Sequence, residues 1–324
     1  MTSSMNDNLS LPIIAAPMFL ISGPKLVTEC CRNGIIGTFP ALNQRTSEGF
    51  EEWLIEIKEN LEEYAQANGK PAAPYGVNLI VHQTNPRLQA DLELCVKHKV
   101  PIIITSLGAV SDLVDAVHSY GGLVFHDITN RRHAEKAMEA GVDGLILVSA
   151  GAGGHAGTVN PMALVAEIKS FFEGTIILSG CISNGRDVAS ALQMGADFAY
   201  MGTRFINVTE SKADEAYQNM IIESNTSDIV YTAAVSGVPA NFLRLSLEAM
   251  GITKEMWNLK KKIDFGEELD AAKAEAKAWK TIWSAGHGVT SIKDVLPVQE
   301  LLQNLKAEFK EAIEMQQKLL NTYQ

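Results

Sequence analysis

Long apolar runs are missing from this chain of 324 residues: none approaches the ~20 residues that a bilayer-spanning helix requires, so no membrane partner is expected. Cysteine is sparse. The four present, Cys30, Cys31, Cys95 and Cys181, have no CxxC spacing, and no zinc pattern accompanies them, so reduced thiols and no metal are expected. The opening residues, MTSSMNDNLS, lack a basic segment followed by an apolar one, which fits a cytoplasmic protein without a secretory leader. Basic residues are outnumbered, 27 Lys+Arg against 38 Asp+Glu, and the net charge of −11 argues against nucleic acid as a partner. What is present is a globular composition, 46% hydrophobic and 20% charged, which excludes a disordered or fibrous chain.

Over the first 210 residues, short apolar runs alternate with longer amphipathic stretches. The runs are residues 11–16, 34–39, 75–79, 101–105, 123–126, 144–148, 175–179 and 198–201. Each is rich in Ile, Val, Leu or Phe without strict alternation, as expected of parallel strands buried on both faces. Helical spacing predicts helices over 48–67, 87–98, 111–119, 131–140, 160–172 and 185–194. Eight strand–helix units predict an α/β fold, a (β/α)8 barrel; periodicity alone leaves an open doubly wound sheet as the alternative. Residues 207–288 are polar and helix-like and are expected to form a helical cap inserted after the eighth strand. Their charged stretch 254–280 reads as helices with solvated faces. Residues 291–320 return with apolar positions at helical spacing, so the barrel is expected to comprise 1–206 and 289–324.

In such barrels the working residues lie at the C-terminal strand ends. The seventh and eighth runs end in Ser179-Gly180-Cys181 and Gly202-Thr203, where small residues let backbone N–H groups approach a phosphate, with the Thr203 hydroxyl as a further donor. Tight turns are the plainer explanation of either pair alone; both at adjacent strand ends favour a phosphorylated ligand. The sixth run leads into a loop in which Gly151, Gly153, Gly154 and Gly157 surround His155. These glycines allow backbone to lie flat against a ligand, and the imidazole is expected to project into the opening as a base or hydrogen-bond donor. His126 is readable as a core residue and His82 as a lining of the mouth. His98, His118 and His133 are expected at the surface, and His287 in a loop folding back over the opening. Cys181 has no base at readable spacing and is better explained as a small turn residue than as a nucleophile.

The segments Ile13–Met18 in sequence IIAAPM, Gly76-Val77-Asn78, the run AGAGGHAG ending at Gly157, and GADFAYMGTRF ending at Phe205 resemble the nitronate monooxygenase family, with TIWSAG ending at Gly286 as a further match. The resemblance implies a barrel that binds FMN, its phosphate on Ser179, Gly180, Cys181, Gly202 and Thr203. Pro17, Met18 and Phe19 would pack along the isoalloxazine, Asn78 would hydrogen-bond the ring or ribityl chain, and Gly153 and Asp127 would line the cofactor. His155 matches the family's active-site histidine. The implied reaction oxidises an alkyl nitronate with O2 to a carbonyl compound and nitrite. The family also includes NAD(P)H-dependent quinone and enoyl-thioester reductases, so an FMN-dependent NAD(P)H oxidoreductase is the alternative, and a phosphate-binding barrel without flavin turnover a third.

Two departures stand out. Many relatives carry a lysine at the end of the fifth strand, where this chain has Asp127; Arg131 or Arg132 is the candidate to compensate its charge. Where relatives have Gly-Gly after the seventh strand, this chain has Gly180-Cys181, which preserves the backbone donor. The resemblance leaves the oligomeric state open.

Overall fold

The computed structural model describes residues 8–323 except 83, 109, 236 and 260–280. Eight parallel strands close into a barrel: β1 (Ile13–Ala15), β2 (Ile36–Pro40), β3 (Tyr75–Ile80), β4 (Ile102–Ser106), β5 (Leu123–Ile128), β6 (Gly144–Val148), β8 (Thr175–Ser179) and β9 (Phe198–Met201). Closure is made by β1 against β9, with Ile14 opposite Tyr200. The open-sheet alternative is thereby removed: a register between the first and last strands cannot be read from one-dimensional spacing. The strands are apolar on both faces because each divides two cores. Ile14, Ile36, Ile104, Phe125, Ile146 and Ile177 fill the lumen, while Val77, Ile103, Leu145 and Leu178 meet the helices outside.

The surrounding helices are α1 (Pro24–Arg32), α2 (Ser47–Asn68), α3 (Leu88–His98), α4 (Ser111–His118), α5 (Arg131–Glu139), α6 (Pro161–Lys169) and α7 (Gly185–Met194). Their starts are written locally. Thr46, Asn130, Asn160 and Asn184 each accept a hydrogen bond from a first-turn amide, and Asn184 with Asp187 forms a capping box. Spacing did not predict α1, a nine-residue helix whose signal was Gly23 followed by proline at the first helical position.

After β9 come α8 (Thr203–Ile206), α9 (Glu215–Glu223), β10 (Ile229–Thr232), β11 (Ala240–Leu243), α10 (Arg244–Ala249) and the long α11 (Val298–Thr322). The stretch expected to be a helical cap therefore also contributes an antiparallel strand pair, β10–β11. Four-residue strands beside short helices carry too little periodicity to separate the two types. The charged run expected over 254–280 lies outside the described residues from 260 onward. Packing of α11 against α7 is close enough that a Cβ on Gly185 would sit 2.5 Å from the Phe309 amide nitrogen. Glu308 Oε2 accepts from the Gly185 amide at 2.6 Å and fixes that crossing.

Candidate active site

The C-terminal ends of the strands open into one cavity of about 1220 Å³. Pro17, Met18, Phe19, Asn78, Asp127, Gly153, His155, Ser179, Gly180, Cys181, Gly202 and Thr203 all line it. Residues up to 186 positions apart in sequence thus share one chamber, as the barrel's parallel strand ends require.

On one side lies a set of unused donors. After β8 the chain turns through Gly180 (φ +126°) and Cys181 (φ +59°). A side chain on Gly180 would collide with Ser149 Oγ, which itself donates to the Ser179 carbonyl at 2.6 Å. The amides of Gly180, Cys181 and Gly202 donate to no protein acceptor among the described residues. Thr203 Oγ1 accepts from the Gly286 amide at 3.0 Å, which leaves the hydroxyl proton to donate. Gly202 is informative for another reason. Its φ is −101°, open to any residue, and the atom nearest to a Cβ there would be Ala16 Cβ at 3.7 Å. Protein packing does not demand glycine at 202, and the space beside it is open to the cavity. The Cys181 thiol is pushed up by burial and by Asp187, so it is no ready thiolate.

The His155 loop is clamped from outside the barrel. Gly154 and His155 form the two-residue strand β7 and pair with β11, His155 opposite Ala240. Buried Asn241 donates to the Ala152 carbonyl at 2.7 Å, and the Tyr231 hydroxyl donates to the Ala156 carbonyl at 2.9 Å. Gly153 has a protein-side reason as well: a Cβ there would lie 2.8 Å from the Gly286 nitrogen and 3.1 Å from Thr203 Oγ1. The returning segment thus presses backbone to backbone on the loop, and the His287 amide donates to the Gly151 carbonyl at 2.9 Å. Part of the glycine run, therefore, is explained by protein packing. His155 itself is half-buried, and burial pushes its pKa down to about 4, so it is a neutral imidazole at pH 7.

Removing the clamp gives a first prediction. Asn241→Leu should destabilise the fold by about 1–3 kcal/mol, the usual cost of a lost buried hydrogen bond. It should also lower turnover more than flavin content. Chemical denaturation together with the flavin-to-protein absorbance ratio measures both, and an unchanged midpoint would refute the clamp.

Asp127 stands across β3, β4 and β5 in a short relay. Asn78 Nδ2 donates to Ser106 Oγ at 2.8 Å, and Ser106 Oγ donates to Asp127 Oδ2 at 2.5 Å. Burial pushes this carboxyl up to about 6, opposed by the Ser106 hydrogen bond. The expected compensation by Arg131 is not found: its guanidinium pairs with Glu135 at 2.7 Å and lies 4.6 Å over the Phe171 ring. One helical turn separates Arg131 from Glu135, so the local pair forms first.

Of the remaining histidines, His126 is buried, bonded through Nδ1 to Thr105 Oγ1 at 2.7 Å, and lines the cavity. His133, exposed on α5, also reaches the cavity rim, which its helical setting alone did not disclose. His82 is not among the lining residues; its Nδ1 meets Thr84 Oγ1 at 2.9 Å. His98 pairs with Glu51 and His118 with Asp143, both away from the chamber. Among the described residues no group of three or more His, Cys, Asp or Glu side chains is placed to hold a metal ion.

A chamber with orphaned amides at two adjacent strand ends, an uncrowded glycine among them and a neutral imidazole fits a phosphorylated, aromatic cofactor such as a flavin. Comparison with known proteins agrees: residues 3–308 match the model of a family described as nitronate monooxygenase. The chain belongs to the nitronate monooxygenase family. It is 26% identical to a nitronate monooxygenase of Paraburkholderia phytofirmans, over 96% of this chain and 95% of that one. Among solved structures it resembles FabK from Thermotoga maritima, with a TM-score of 0.80 at 23% identity and 98% of each chain covered. A nitroalkane oxidase of Streptomyces ansochromogenes superposes with a TM-score of 0.79 at 23% identity, covering 97% of this chain and 99% of that one. These two likenesses establish the barrel. Membership of the nitronate monooxygenase family makes the protein a flavin-dependent oxidoreductase with a small-molecule substrate and O2. No described helix is long and apolar enough to cross a membrane.

Proposed function

We propose that the cavity binds FMN and that the protein oxidises small alkyl nitronates with O2 to a carbonyl compound and nitrite. The observation that carries this reading is a neutral His155, clamped by β11, in the same chamber as the unpartnered amides of Gly180, Cys181 and Gly202. Those amides, with the Thr203 hydroxyl, would hold the FMN phosphate by charge-assisted hydrogen bonds. Pro17, Met18, Phe19, Asn78, Asp127, Gly153 and Ser179 would complete the cofactor's lining. When bound, FMN supplies the electron acceptor and the reactivity toward O2. The protein's part is to bind and orient. A neutral imidazole can donate one N–H to an anionic nitronate oxygen and keep its other nitrogen as a proton acceptor. The apolar walls, among them Ile80, Val148 and Ile182, exclude water and so strengthen that contact.

The size of the cavity favours a second reading. At about 1220 Å³ it exceeds the ~300–1,000 Å³ of ordinary ligand sites, leaving room beside a flavin for a bulkier acceptor such as a quinone or an enoyl thioester reduced by NAD(P)H. Anaerobic mixing separates the two. With an alkyl nitronate the flavin absorbance should bleach within the turnover time, and NAD(P)H should leave it unchanged. Bleaching by NAD(P)H alone would replace the first reading by the second.

A further inference from the structure

The cavity holds a carboxyl group, Asp127, that makes no ion pair among the described residues. Asp127 Oδ2 accepts from Ser106, whose own accepting side is taken by Asn78. Oδ1 is shielded from solvent and has no hydrogen-bond partner among the described residues. Lys136 and Lys212 are the lysines among the lining residues, and neither pairs with Asp127, on which burial and the Ser106 hydrogen bond act. Tyr200 on β9 keeps its proton because burial and the charge of Asp127 both raise it. Burial pushes His126 on β5 down to about 4, as it does His155 on β7. At the rim, His133 on α5 is shifted down by burial and by Arg132 and Lys136. Arg131 is engaged with Glu135 and Phe171, and Lys212 lies 4.0 Å over the Trp53 ring.

We infer that Asp127 takes up one proton from solvent when flavin enters the cavity and serves in the loaded site as a neutral carboxylic acid that donates a hydrogen bond. The inference rests on the flavin reading above. The step is a carboxylate plus a proton giving a carboxylic acid; the proton comes from the buffered solvent and no electron moves. Two forces drive it. A ligand that fills the chamber displaces the water still reaching this half-buried side chain, and desolvation disfavours the charged form. A carboxylate can only accept, whereas an isoalloxazine edge presents carbonyl and ring-nitrogen acceptors, so the protonated form alone can bond to them. Burial has already moved the free carboxyl to about 6, so the remaining shift is small. The serine–asparagine relay keeps the carboxyl in place in both states.

Calorimetric titration of the flavin-free protein with FMN at pH 7, in two buffers of unlike ionisation enthalpy, counts the protons. Wild type should take up close to one proton more per FMN than Asp127→Asn, the subtraction cancelling any titration of the FMN phosphate. Above pH 7 wild-type affinity should fall by up to about tenfold per pH unit relative to the variant, because only wild type must bind the proton. Equal proton counts, or parallel pH profiles, overturn the inference. An infrared difference spectrum of wild type, FMN-bound minus free, tests it without any variant. A gained carboxylic-acid C=O stretch that shifts in D2O supports it, and no gain overturns it. Failure of FMN to bind at all removes the flavin reading as well, whereas bound FMN without proton uptake removes this inference alone.

Discussion

His155→Ala should lower turnover by about 10²–10⁴-fold, the usual range for a positioned acid, base or hydrogen-bond donor, while FMN stays bound. The two effects separate because the imidazole and the anion donors come from different elements. The side chain lies on β7, whereas the donors follow β8 and β9. Alanine at 155 leaves the β7–β11 pairing and the Asn241 contact to Ala152 in place, so the loop backbone keeps its course. Steady-state turnover and the flavin-to-protein absorbance ratio of the purified variant are the two measurements. A colourless variant would mean that His155 holds the cofactor, and wild-type turnover would remove it from the chemistry.

Gly202→Val carries the opposite signature: FMN affinity should drop by about 10²–10⁴-fold while the flavin-free protein remains as stable as wild type. The stability expectation follows from space, since the nearest protein atom to a new Cβ is 3.7 Å away and the backbone is permissive. Substitutions with such freedom usually stay within about 0.5 kcal/mol. The affinity expectation follows from contact. A branched side chain in the cradle would displace the phosphate from two or more amide donors, each worth about 1.5–3 kcal/mol to a charged group. Every 1.4 kcal/mol is tenfold in affinity. Equilibrium titration with FMN and a thermal melt without it test both halves, and riboflavin serves as a control that should be much less affected. A variant that purifies yellow with full occupancy would show that the phosphate lies elsewhere.

These two residues also illustrate how far a linear reading reaches. Gly202 and Thr203 were visible as small residues at a strand end, because a βα turn is a local event and its residue types are locally chosen. His155 was visible because no other ionisable side chain lies between Asp143 and Glu167. Gly153 was noticed for the right position and an incomplete reason. Its closest neighbour is the backbone of Gly286, 133 residues later, and no local pattern encodes that approach. The β10–β11 pair was read as helix for a different cause: each strand has only four residues, too few for its alternation to show, and the second partner of β11, β7, is far away in the chain.

By itself the sequence determined the eight buried strands, most of the helices with their asparagine and threonine caps, and the small residues where a ligand can approach. These depend on side-chain size, periodicity and first-turn hydrogen bonds, all settled within a few residues. Tertiary structure alone decided that the strands close into a barrel, that β11 and Asn241 hold the His155 loop, and that Arg131 turns to Glu135 and not to Asp127. Each of these is a choice among partners far apart in the chain. Such choices are made by burial and register, and neither exists until the strands have met.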